Sequence, residues 1–82
     1  MDLSIVEKAG IGASHFARLC GVSRVSAYMW LTGRYGPRGL YRKQVEEMVR
    51  RIQSAVDDHR LPLPPSLPRA QVFKATQDAL EL

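Results

Sequence analysis

Between residues 41 and 56 the apolar side chains recur at helical spacing, and this pattern limits the chain more than any other feature. At about 100° per residue, Tyr41, Val45, Met48, Val49, Ile52, Ala55 and Val56 fall within about 120° of arc. Such a stripe has to be covered by other apolar surface. Strand patterning is missing, because Val, Ile and Thr never alternate with polar residues over a strand's length. The expected fold class is therefore all-α: a compact four-helix domain with a long fourth helix, then a Pro-rich linker and a short C-terminal helix.

The 82 residues suit one small domain with a tail, and an apolar share of 45% suits a packed core. A first helix is expected over residues 3–9, with Asp2 near its start and Gly10 ending it. A second runs from after Gly12 to about Cys20, with Phe16, Ala17 and Cys20 facing inward. Gly21 permits a left-handed turn, and Ser23 is the natural N-cap of a third helix over 24–32, closed by Gly33. Residues 34–39 form a loop. The fourth helix is expected over 39–59; at about 30 Å it exceeds a three-helix body, so its second half should overhang.

LPLPPSLPR, residues 61–69, has four prolines in nine positions. It reads as an extended, semi-rigid spacer, preferred here over a proline-rich ligand for an aromatic groove. A last helix starts near Pro68, with Ser66 or Leu67 as N-cap, and its stripe is Val72, Phe73, Thr76, Ala79 and Leu80. Too short to stand alone in water, it packs on its own domain, a twin subunit or another partner. The expected division is a main domain over 1–60, a linker over 61–69 and a helical arm over 70–82.

Charge is unevenly spread. Residues 14–51 hold eight Arg or Lys against two acids, a balance of +6, while the two flanks are each −1. A basic middle is what a polyanion-binding face needs, although a solvated basic surface has the same composition. The single Cys20 rules out an internal disulfide and points to a reducing cytoplasm. No run of 18 apolar residues and no signal-peptide pattern occurs, so no membrane partner is expected. Neither a catalytic constellation nor a metal or cofactor site emerges: His15 and His59 lie in separate helices, Asp57 and Asp58 point apart, and Cys20 reads as a small core residue.

The third helix carries the functional signal. In GIGASHFARLCGVSRVSAYMWLTGRYGP, Gly10 opens a turn, Phe16-Ala17 and Gly21-Val22-Ser23-Arg24 follow, Trp30 and Gly33 come next, and Pro37 lies beyond a basic loop. Over residues 3 to about 52 this register resembles the Cro and phage-repressor (XRE-type) helix-turn-helix regulators. The resemblance implies a sequence-specific binder of double-stranded DNA, bacterial or phage in origin, acting as a homodimer on an inverted-repeat operator. It implies base contacts from Arg24, Val25, Tyr28 and Met29, and phosphate contacts from Ser14, Ser23, Arg34 and Arg38. Two departures stand out: Ala27 sits where a larger aliphatic is usual, and the outward face lacks Gln, Asn and Ser for hydrogen-bond readout.

Alternatives remain open at several positions. Val25 and Met29 either touch thymine methyls or complete the packing, and the same face would also serve a protein partner. Arg18 joins the phosphate set, or forms a solvated pair with His15. In the fourth helix Arg42, Lys43, Arg50 and Arg51 extend the basic surface or, as favoured here, pair with Glu46 and Glu47. Ile52, Ala55 and Val56, with Val72, Phe73 and Leu80 of the arm, form either a dimer or partner contact or an intramolecular one. Two rival functions follow: a protein-binding module built on this fold, and the antitoxin half of a toxin–antitoxin pair.

Overall fold

The computed structural model describes residues 2–82. Five helices and no strand occur among them: α1 (Ser4–Lys8), α2 (Ala13–Cys20), α3 (Arg24–Leu31), α4 (Leu40–Asp57) and α5 (Arg69–Ala79). Each of the first four lies where the sequence places it, α2 at full length and the other three shortened by one or two residues at their ends. The described residues form one compact body, 35 × 23 × 20 Å.

Local chemistry sets the helix ends. Asp2 Oδ1 accepts from the Ser4 N–H at 2.9 Å at the start of α1, and that bond holds the Asp2 carboxyl below its usual range. At the end of α2, Gly21 takes φ +70°, and the Val22 N–H returns to the Ala17 carbonyl at 3.0 Å. This left-handed step brings α3 back across α2, the most extensive interhelical contact in the protein. Ala17 and Ala27, both buried, let the helices approach closely. Trp30 packs against this core from its edge, and its ring centroid lies 6.2 Å from that of Tyr41.

The stripe of α4 is covered as its periodicity requires. Val45, Met48, Ile52 and Ala55 are buried, joining Val6, Phe16 and Cys20. Tyr41 departs from the expectation: it begins the stripe at the α4 N-terminus, beyond the packed body, and is 52% exposed. Burial in apolar surroundings pushes the Cys20 thiol up to about 11, so it stays protonated and unreactive at neutral pH.

Residues beyond α4 correct two expectations. The helix does not overhang, and the Pro-rich segment is not a free spacer. α4 ends at Asp57, and His59 takes a left-handed φ of 61°. The His59 N–H then bonds the Val56 carbonyl at 3.1 Å, and the Arg60 N–H bonds that of Ala55 at 2.8 Å. This paired closure reverses the chain and delivers Leu61 into the core at 3% exposure. A turn closed from the Leu67 N–H to the Pro64 carbonyl, 3.2 Å, then launches α5 back over the body.

α5 is held there by four devices. Leu80 is 2% exposed. Thr76 is buried but not orphaned, because its Oγ1 donates to the Val72 carbonyl at 2.8 Å. Arg51 donates to the Leu80 carbonyl at 3.1 Å and Arg60 to that of Ala79, so two guanidinium groups satisfy the carbonyl end of the helix. Phe73 meets α2: its ring centroid lies 5.3 Å from that of His15, and the Arg18 guanidinium sits 3.8 Å above it. Of the residues considered for a dimer or partner contact, Ile52, Ala55 and Leu80 are therefore interior to one chain. Phe73 is engaged with α2 but, like Val56 and Val72, is only half-buried and keeps some free surface.

Candidate nucleic-acid interface

The geometry of α3 follows from its first turn. Ser23 Oγ accepts from the Ser26 N–H at 3.1 Å, the N-cap bond its position calls for. With the start fixed and Ala27 fully buried, Arg24, Val25 and Tyr28 share the outer side. Val25 is 63% and Tyr28 57% exposed. Met29, expected beside them, is half-buried and turned toward the edge. The outward face is thus one cation, one branched aliphatic and one phenol.

The expected phosphate-contacting residues separate into three groups. Ser14, Arg34 and Arg38 are exposed. Ser14 stands in the first turn of α2, whose N-terminus has no side-chain cap, leaving backbone N–H groups for an acceptor. Ser23 is committed to capping, and its Oγ lies 2.9 Å from that of Ser26. One proton links the two hydroxyls, and the other is left for an outside acceptor. Arg18 is exposed too, but it stacks on Phe73 and lines the groove between α2 and α4 rather than the surroundings of α3. Phe73 lies against both Arg18 and His15, so the two do not form the simple solvated pair.

Ion pairing sorts the remaining cations. On α4, Arg42 meets Glu46 at 3.1 Å, Arg50 meets Glu47 at 3.0 Å and Arg51 meets Glu47 at 3.6 Å. These are exposed pairs worth about 0.2–1 kcal/mol each at most, and because Arg50 and Arg51 share Glu47 they offset most but not all of the positive charge there. Lys43, expected to join Glu47, has no acidic partner; nor have Arg24, Arg34 and Arg38. Among the described residues Lys8, Arg18 and Arg69 are likewise unpaired, and three of the unpaired cations, Arg24, Arg34 and Arg38, lie on α3 and the loop after it.

A feature the sequence reading passed over lies at the same place. Trp30, Tyr35 and Tyr41 line a cavity of about 570 Å³ with Arg38, Ser23 and Ser26. The available signal was Tyr35 itself, an aromatic between Arg34 and Arg38 in a glycine-containing loop. A second cavity of about 470 Å³ opens on the other flank of α3, lined by Tyr28, Leu31, Leu3, Val6 and Ile11. No family model, curated protein or solved structure matches the chain.

Proposed function

We propose that the protein is a sequence-specific regulator that binds double-stranded DNA through a helix-turn-helix formed by α2, the Gly21 turn and α3. What carries this reading is the coincidence of an exposed α3 face with the unpaired Arg24, Arg34 and Arg38. α3 enters the major groove by its N-terminal half, and Arg24 forks onto guanine O6 and N7. Val25 lies against a thymine methyl, and Tyr28 reaches a neighbouring base edge or phosphate. Ser14 at the start of α2, the Ser23–Ser26 hydroxyl pair, Arg34 and Arg38 hold the sugar–phosphate backbone and set the register.

The protein acts as a homodimer on an inverted repeat, with two α3 helices about 34 Å apart, and represses by occupying a promoter. The subunit contact lies outside Ile52, Ala55 and Leu80, which are committed to the protomer's own core. Repeated enrichment of bound sequences from a random duplex pool tests the reading. The expected product is a two-fold symmetric consensus with half-sites about 10 bp apart centre to centre and a guanine in each. A pool that stays random would sink it.

One observation favours a second reading, a protein-binding module of the same fold. Val25, Tyr28 and the cavity beside Tyr28 are apolar for a base-reading face. A toxin or other protein partner would bury that face, and the random pool would then show no consensus.

A further inference from the structure

The three aromatic rings of the cavity beside α3, Trp30, Tyr35 and Tyr41, have no part in the duplex contacts proposed above. Tyr35 is 57% and Tyr41 52% exposed, so both keep most of a ring face toward solvent. Behind them Trp30 is half-buried, its ring inclined 48° to that of Tyr41. Arg38 and the Ser23–Ser26 hydroxyl pair stand at the cavity wall. Arg34 adjoins Tyr35 in the chain, and neither arginine has an acidic partner among the described residues. At about 570 Å³ the space lies within the range that takes a small organic ligand, about 300–1,000 Å³.

We infer that this slot takes an unstacked nucleobase with its adjoining phosphate, giving the protein affinity for single-stranded or locally opened DNA. The inference rests on the reading of the α3 side as a nucleic-acid surface, and adds a second mode of contact to it. Exposed tyrosine faces stack on any base, and cations beside them track the backbone, the combination that single-strand binders use. Charge decides between occupants. A second copy of the chain docked on this slot about a two-fold axis would bring Arg34 and Arg38 against their own counterparts, like charges with no acid lining the slot between them. A polyanion carrying flat aromatic groups meets both halves of the site. The base stacks on the open face of Tyr35 or Tyr41, the Arg38 guanidinium pairs with the phosphate, and the free hydroxyl proton of the Ser23–Ser26 pair donates to a second phosphate oxygen.

The lone tryptophan of the chain, Trp30, lies in the slot and reports directly. The full chain is titrated with an oligothymidylate of about 10 nucleotides, a length within single-strand site sizes, and with an abasic strand of equal phosphate number. A duplex taken from the enriched consensus is run in parallel. The oligothymidylate is expected to quench Trp30 and to bind about tenfold tighter than the abasic strand. Tyr35→Ala, in an exposed loop, is expected to lose that margin while Tyr35→Phe keeps it. Equal binding of the two strands, or an unchanged margin in Tyr35→Ala, overturns the slot. If the duplex still binds in that case, the regulator reading stands without it. If no nucleic acid binds at all, both fall together.

Discussion

Leu80→Ala is expected to lower the free energy of unfolding by about 2–5 kcal/mol, and to do so equally at every protein concentration. Leu80 is 2% exposed and lies in the same apolar cluster as Ile52, Ala55 and Leu61. Truncating it leaves a cavity that the rigid end of α5 cannot close, because the Arg51 and Arg60 bonds to the Leu80 and Ala79 carbonyls hold the backbone in place. For 82 residues, at about 0.05–0.15 kcal/mol per residue, the whole stability is about 4–12 kcal/mol. The variant therefore loses a large share of it. Leu82, 55% exposed, is the control, with an expected change within about 0.5 kcal/mol on alanine substitution. Urea denaturation at several protein concentrations makes the comparison. An arm that served a dimer instead would show a loss that vanishes on dilution, with the monomer unaffected.

The other large effect is on binding. Arg24→Ala is expected to weaken the consensus duplex by about 1–3 kcal/mol, roughly 5- to 150-fold, while barely changing the affinity for unrelated duplex. Arg24 is the only cation on the outward face of α3, so in the proposed complex the bidentate reading of guanine rests on it alone. Arg34→Ala should behave differently. It weakens all duplexes about equally and lowers the salt slope by about 1, because a backbone contact carries no sequence information. Competition titrations of the two variants separate the roles. If Arg24→Ala lost affinity uniformly, its side chain would be on the backbone, and discrimination would have to come from Val25, Tyr28 and DNA shape.

Much of the fold was legible because its determinants are local. The glycine at 21, the serine at 23 and the spacing of Val45, Met48, Ile52 and Ala55 each act within a few residues, and each lies where expected. Residues 61–69 were misread for a physical reason. Proline content reports stiffness but not direction, and the left-handed turn that reverses the chain falls on His59, a residue with no strong preference for it. The overlooked signal was Leu61, Leu63 and Leu67, apolar side chains that a solvated spacer has no use for. Arg18 and His15 were legible only as an exposed pair, because Phe73, the ring that covers both, is more than fifty positions away. The aromatic slot was hidden similarly: Trp30, Tyr35 and Tyr41 come from a helix, a loop and another helix, with no shared periodicity.

Sequence-specific grip on duplex DNA is proposed for the exposed side of α3 together with Arg24, Arg34 and Arg38. It is tested most directly by titrating the consensus duplex with the intact protein across a range of salt concentrations, with unrelated duplex as competitor. Binding is expected to resist the competitor, with a log affinity that falls linearly with log salt at about 0.9 per phosphate neutralised. Equal, weak binding to both duplexes at every salt concentration would contradict it, and would turn the α3 face over to a protein partner.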